Sequence, residues 1–214
     1  MAPGLVRRPP GPAHITCVSN SSKSKGDRNE LAAVLELVAK AGDLVLPNAQ
    51  RKLGAGRKED VGDLHVFADV AVQVRAVAEM GRGLRTAATD SVVQARHGGV
   101  PFALGMVPVP RARKESVRWL ASCLSWPGSQ PGDEEIAVFT NPGAAIAHLR
   151  RDDLGVPRTR RIAQLRRQNT CSVFVAPIEA WIQAYRQVKA GAGETCGVAA
   201  YVVNESRHEL AAAG

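Results

Sequence analysis

The sequence predicts a mixed α/β fold in which a central sheet is flanked by helices. Segments with apolar residues at helical spacing take turns with shorter segments in which apolar residues alternate, in the order helix, strands, helix, strands. Hydrophobic residues fill 45% of the 214 positions, which is the range of a globular protein rather than a disordered one. Aromatic residues fill only 4%, so the core must be built from Val, Leu, Ala and Ile.

Residues 1–26 are rich in Pro, Ser, Gly and Lys/Arg and read as a flexible basic arm. Leu31, Val34, Leu35 and Val38 recur at helical spacing, and Gly42 closes that helix. Val45-Leu46 is a candidate short strand. Asn48 to Gly62 is a polar, glycine-bearing loop. Leu64–Phe67 and Val70–Ala76 read as two strands joined by a tight turn at Ala68-Asp69. Residues 82–97 form a second helix with Leu84, Ala87, Ala88, Val92 and Ala95 on its apolar face and Gly98-Gly99 ending it. Arg82, Arg85 and Arg96 fall in one stripe on its other side. Val100–Val107 alternates Phe102, Leu104 and Met106 as a strand does, and Val117–Leu124 reads as a further strand, although its run also suits a helix turn.

Trp126 to Asp133 carries two prolines and two glycines and is the best candidate boundary. It divides the chain into a core over 27–126 and a basic C-terminal extension over 127–214. The extension reads as an apolar run Ile136–Phe139, a helix Pro142–Arg151, a strand Cys171–Ala176 and a helix Ile178–Lys189.

A formal net charge of +8 favours a polyanionic partner, because each Lys or Arg set on a phosphate releases a counterion. Nucleic acid is the first class indicated. A membrane surface is disfavoured, since no basic amphipathic helix carries bulky apolar anchors. The scarcity of aromatics counts against a single-strand binder, which needs platforms for stacking bases. Arginine dominates the positive charge; its planar fork suits phosphate, although a GC-rich genome accounts for the preference equally well. Cys17, Cys123, Cys171 and Cys196 form no CxxC pair, so reduced thiols are expected rather than a zinc site or a disulfide framework. Arg7 and Arg8 are followed by no apolar stretch, and no apolar run is long enough to span a bilayer; a cytoplasmic location is expected.

The chemistry-bearing candidates are Glu30, Asp63, Gln73 and Arg75. Asp63 opens a strand directly after Gly62. On the following strand, Gln73 and Arg75 share one face, while Val70, Val72 and Val74 point to the other. The hairpin brings Asp63 toward Gln73. Carboxylate and amide oxygens of this kind suit Mg²⁺, and a neighbouring guanidinium suits a pentacovalent phosphate. The competing reading makes Asp63 a turn residue, with Gln73 and Arg75 on a solvated strand face.

The run Lys25-Gly26-Asp27-Arg28-Asn29-Glu30, then Gly62-Asp63, then Gln73-Val74-Arg75, resembles the PD-(D/E)xK nuclease superfamily. The closest branch is the Holliday-junction-resolvase-like one common in phages. The resemblance spans roughly residues 23–124. It implies a restriction-endonuclease-like α-β-β-β-α-β core, dependence on Mg²⁺ or Mn²⁺, a homodimer, and hydrolysis of phosphodiesters in branched or duplex DNA. It further implies that Glu30, Asp63 and Gln73 hold the metal, with Arg75 in the place of the catalytic lysine. Gln73 stands where the family usually has an acid, and Arg75 keeps the lysine's charge without its proton chemistry. A catalytically degenerate DNA-binding protein on the same fold, and a structural or interaction module, are the alternatives.

DNA backbone contacts are expected from Lys25, Arg57, Arg82, Arg85, Arg111, Arg113, Arg158, Arg160, Arg161, Arg166 and Arg167. The stretch 150–167 is the most basic, with seven arginines against two aspartates. Neutralising about four phosphates there gives a slope of roughly −3.6 in log affinity against log salt.

Overall fold

The computed structural model describes residues 21–51, 62–110, 112, 116–128, 131, 136–151, 154–166 and 171–192, the side chains of 21–25, 51 and 192 excepted. Its elements run α1 (Ser21–Ala41), β1 (Gln50–Arg51), β2 (Leu64–His65), β3 (Val70–Val74), α2 (Met80–Gly98), β4 (Phe102–Pro108), β5 (Trp119–Cys123), β6 (Ile136–Phe139), α3 (Pro142–Arg150), a 3₁₀ turn (Arg158–Arg160), β7 (Ile162–Leu165), β8 (Val173–Pro177) and α4 (Ile178–Ala192). The fold is therefore mixed α/β, and the first six described elements follow the succession α-β-β-β-α-β.

The eight strands among the described residues join one sheet in the order β1-β2-β3-β4-β5-β8-β7-β6. β3 and β4 are parallel, joined through α2, and β6 and β7 are parallel, joined through α3; the remaining neighbours are antiparallel. Strand alternation sorts the core into two layers. On one face Val70, Val72, Val74, Leu104, Met106, Ala121, Phe174 and Ala176 pack with Ala33, Val34 and Leu37 of α1 and Trp181 and Tyr185 of α4. On the other, Val107, Leu120, Ala163, Leu165, Val173 and Val175 pack with Leu84, Ala87 and Ala88 of α2 and Ala145 and Leu149 of α3. The three tryptophans are all buried.

Helix ends follow their local chemistry. Glu79 caps α2 by accepting from the Arg82 amide at 2.8 Å, and Gly99 closes it in the left-handed conformation. Asn141 caps α3 through the Gly143 amide at 2.7 Å, with Pro142 in the first turn.

Several expectations are corrected. The segment read as an arm ending at 26 is already helical from Ser21. The buried face of α1 is Ala33, Val34, Leu37 and Ala41, whereas Leu31, Leu35 and Val38 stand 53%, 62% and 42% exposed. The helix is thus turned by roughly one residue step from the expected face. Cross-element ion pairs accompany that rotation: Lys40 with Glu179 at 2.8 Å and Arg118 with Glu36 at 3.7 Å. Val45-Leu46 is not a strand, although the Leu46 amide donates to the Val66 carbonyl at 2.8 Å. The stretch at 126–133 does not divide the sheet, because β8 inserts between β5 and β7 and Trp126 packs edge-on against Phe174. Among the described residues, no helix is long and apolar enough to cross a membrane.

Candidate functional site

The candidate site forms where β2 enters the sheet beside β3, on the face covered by α2. Gly62 has φ 81°, and a Cβ there would lie 2.9 Å from the Val72 carbonyl oxygen, so only glycine lets the chain turn against β3 at this point. The turn delivers Asp63, whose own amide donates to the Val72 carbonyl at 2.9 Å. The Asp63 Oδ2 accepts from the Gln73 Nε2 at 2.6 Å and from the Val74 amide at 2.9 Å, and the Arg75 Nη1 lies 3.8 Å away.

Gln73 is only 3% exposed. It lies opposite Gly105 in the sheet and faces α2, the side opposite its valine neighbours. A solvated strand face is therefore excluded for it. A buried amide needs partners, and the Asp63 carboxylate is one.

Two α2 residues complete the site. Asp90 Oδ2 accepts from the Arg75 Nε at 3.0 Å and Nη2 at 2.7 Å. Gln94 Oε1 accepts from the Gly62 amide at 3.0 Å. Four residues apart, Asp90 and Gln94 share one face of the helix. Neither residue is among the chemistry-bearing candidates read from the sequence. Their signal was two polar side chains at i and i+4, on the flank between the apolar face and the arginine stripe.

The structure thus joins Asp63, Gln73 and Arg75. Glu30 arrives on α1, whose core residues pack against the opposite face of the sheet from Gln73. Among the described residues, no three His, Cys, Asp or Glu side chains group closely enough to hold an ion. Mg²⁺ commonly takes one or two carboxylates and completes its shell with water and substrate phosphates. The Asp63 carboxylate and the Gln73 amide, hydrogen-bonded to each other, offer the hard oxygen donors such an ion uses, and in that sense fit it.

The expected DNA contacts divide by environment. Arg82 and Arg160 are exposed, Arg85 and Arg158 half-buried. Arg166 is exposed and donates through Nε to Gln164 Oε1 at 2.7 Å. Arg161 is corrected: it is 7% exposed, and its guanidinium donates to the carbonyls of Val156 at 2.7 Å, Leu149 at 3.5 Å and Arg151. It caps the C-terminal end of α3, where positive charge is favoured, and is not a surface cation. Arg160 and Thr159 line a cleft of about 630 Å³ with Gln183 and Gln187 of α4, which contains none of the Asp63 group. Lys25 lies in α1 with its side chain outside the described set, and Arg57, Arg111, Arg113 and Arg167 lie outside the described residues.

Comparison with protein families, characterised proteins and solved structures returns no match.

Proposed function

We propose that this chain is a divalent-metal-dependent endonuclease that hydrolyses phosphodiester bonds in branched or duplex DNA. The observation that carries the reading is the contact of Asp63 with Gln73 at 2.6 Å, beside the Arg75 guanidinium, at the junction of two strands. The α-β-β-β-α-β order of the first six elements supports it, since that is the succession the nuclease resemblance implies. So does the net charge of +8, which draws a polyanion to the molecule.

In this reading Asp63 supplies an anionic oxygen and Gln73 an amide oxygen toward Mg²⁺ or Mn²⁺, while Glu30, on the helix of the opposite sheet face, is not one of the ligands. A divalent cation, when bound, neutralises charge on the phosphate and lowers the pKa of water. Gln73 and the Val74 amide hold the Asp63 carboxylate in one orientation. Arg75 places fixed positive charge where the phosphoryl oxygens gain negative charge. Exposed Arg82 and Arg160, with half-buried Arg85, contact the backbone without reading sequence.

The test is a cleavage screen of the full chain over linear, flap and four-way DNA in Mg²⁺ and in Mn²⁺. Cutting that disappears in Asp63→Asn is expected. Failure to cut any form in either metal removes the enzyme reading.

A second reading, DNA binding without hydrolysis, is favoured by the pairing of Arg75 with Asp90 and by an amide in place of the second acid. It predicts that Asp63→Asn leaves junction affinity unchanged and that calorimetry detects no Mg²⁺ site.

A further inference from the structure

We propose that Asp90 is the positioning residue for Arg75, clamping its guanidinium so that a fixed edge is turned toward the substrate phosphate. The inference rests on the nuclease reading and assigns a role within it to a residue of α2.

The geometry is one of shared donors. Arg75 commits Nε, at 3.0 Å, and Nη2, at 2.7 Å, to a single oxygen of Asp90. Its Nη1 reaches back 3.4 Å to the Val74 carbonyl and lies 3.8 Å from Asp63 Oδ2. The guanidinium therefore bridges two carboxylates from different elements, one on α2 and one at the start of β2. A guanidinium has five N–H donors. Two go to Asp90 and one to Val74, which leaves one N–H on each Nη for an incoming oxygen anion. The plane of the group is fixed by the three bonds already made.

Lysine at this position could not reproduce the arrangement. An ammonium is a point charge on a flexible stem, without the planar fork that lets one group bind Asp90 and still present an ordered edge. Asp90 thus accounts for an arginine where the resemblance leads one to expect lysine. The clamp is itself anchored, because α2 also reaches Gly62 through Gln94 at 3.0 Å. One helix therefore sets both the turn that carries Asp63 and the cation beside it. Orientation of this kind governs turnover more than affinity, since a small misplacement of a charge-stabilising group falls on the transition state.

Two measurements on the full chain test the proposal. In ¹⁵N spectra of the arginine side chains, an Nε–H signal protected from exchange is assigned to Arg75 by its loss in Arg75→Lys. It should disappear in Asp90→Ala, while the Arg161 signal, held by the Val156 carbonyl, persists as an internal reference for folding. In single-turnover cleavage of a four-way junction, Asp90→Ala should lower the rate about 10- to 100-fold without weakening junction affinity. It should cause no further loss in an Arg75→Ala background, and Asp90→Glu should recover part of the rate. Protection of the Arg75 signal without Asp90, or losses that multiply in the double variant, overturns the clamp. Should the parent protein cut nothing, the nuclease reading fails on that result alone, and the Nε–H signal by itself decides the clamp. If Asp90→Ala does not fold, Asp90→Asn takes its place in both measurements, with the same outcomes deciding.

Discussion

Arg75 and Arg161 carry the same charge in different surroundings, and at the residue scale the surroundings decide what each contributes. Arg75 and Asp90 are each about one third exposed at the side chain, 36% and 35%. A pair so solvated adds roughly 0.2–1 kcal/mol to stability, too little to explain the fold. Its consequence is orientation. Arg161 is buried and bonded to three carbonyls around the end of α3. Removing it leaves the buried Leu149 carbonyl and the part-buried Val156 and Arg151 carbonyls without that donor, at a cost of about 1–3 kcal/mol for a fully buried acceptor and less where water can reach it. Arg161→Ala should therefore lower denaturant stability by about 2 kcal/mol or more while leaving DNA affinity near that of the parent, measured by chemical unfolding and fluorescence anisotropy. An unchanged unfolding midpoint with a large drop in affinity would return Arg161 to the DNA-contacting set. Sequence could not separate these two arginines, because Arg161 sits in a run of like charges and its partners are backbone carbonyls, which have no residue signature. Gln73 was legible as a polar residue in a valine strand, but its burial was not, since that depends on α2 covering it.

At the scale of elements, the site exists because α2 lies close to the sheet. A Cβ on Gly105 would come within 2.6 Å of the Ala87 carbonyl carbon and 2.6 Å of the Ser122 Oγ. The helix backbone therefore rests directly over β4, one strand from Gln73. That proximity brings Asp90 and Gln94 within reach of Arg75 and Gly62. Gly105→Ala should force the helix outward, costing about 1–3 kcal/mol by overpacking. It should also separate Arg75 from Asp90, seen as loss of the Arg75 Nε–H protection. A variant with the parent's stability and an intact Arg75 signal would show that the helix sits less closely than this. The existence of α2, α3 and α4 and of β3, β4 and β5 was legible from periodicity and end signals. β7 was not, because Ile162–Leu165 is a four-residue strand between arginine-rich segments. The face of α1 was misjudged because Leu31 and Leu35 face outward while Ala33, Val34, Leu37 and Ala41 are buried.

At the scale of the molecule, the eight strands among the described residues make one sheet, and β6, β7 and β8 of the basic C-terminal part belong to it. β5 pairs with β8, so ending the chain at residue 126 would bare that edge and strip Ile162, Phe174, Ile178, Trp181 and Tyr185 from one core layer. A fragment over 1–126 should show no cooperative thermal transition and should aggregate, as an unpaired strand edge favours; a monomeric fragment that melts cooperatively would restore the two-part organisation. The linker-like composition of 126–133 pointed to a boundary because Pro and Gly mark turns equally well within and between domains. The sheet positions the Asp63 group, and in the proposed reading the charge of +8 draws a polyanion toward the molecule. The most direct measurement of this account is the initial rate at which the full chain cuts a four-way junction in Mn²⁺, taken beside Asp63→Asn at equal protein. The account predicts strand cleavage that requires the metal and vanishes with the asparagine. Equal rates for both proteins, or no cleavage by the parent under conditions where it binds the junction, would contradict it.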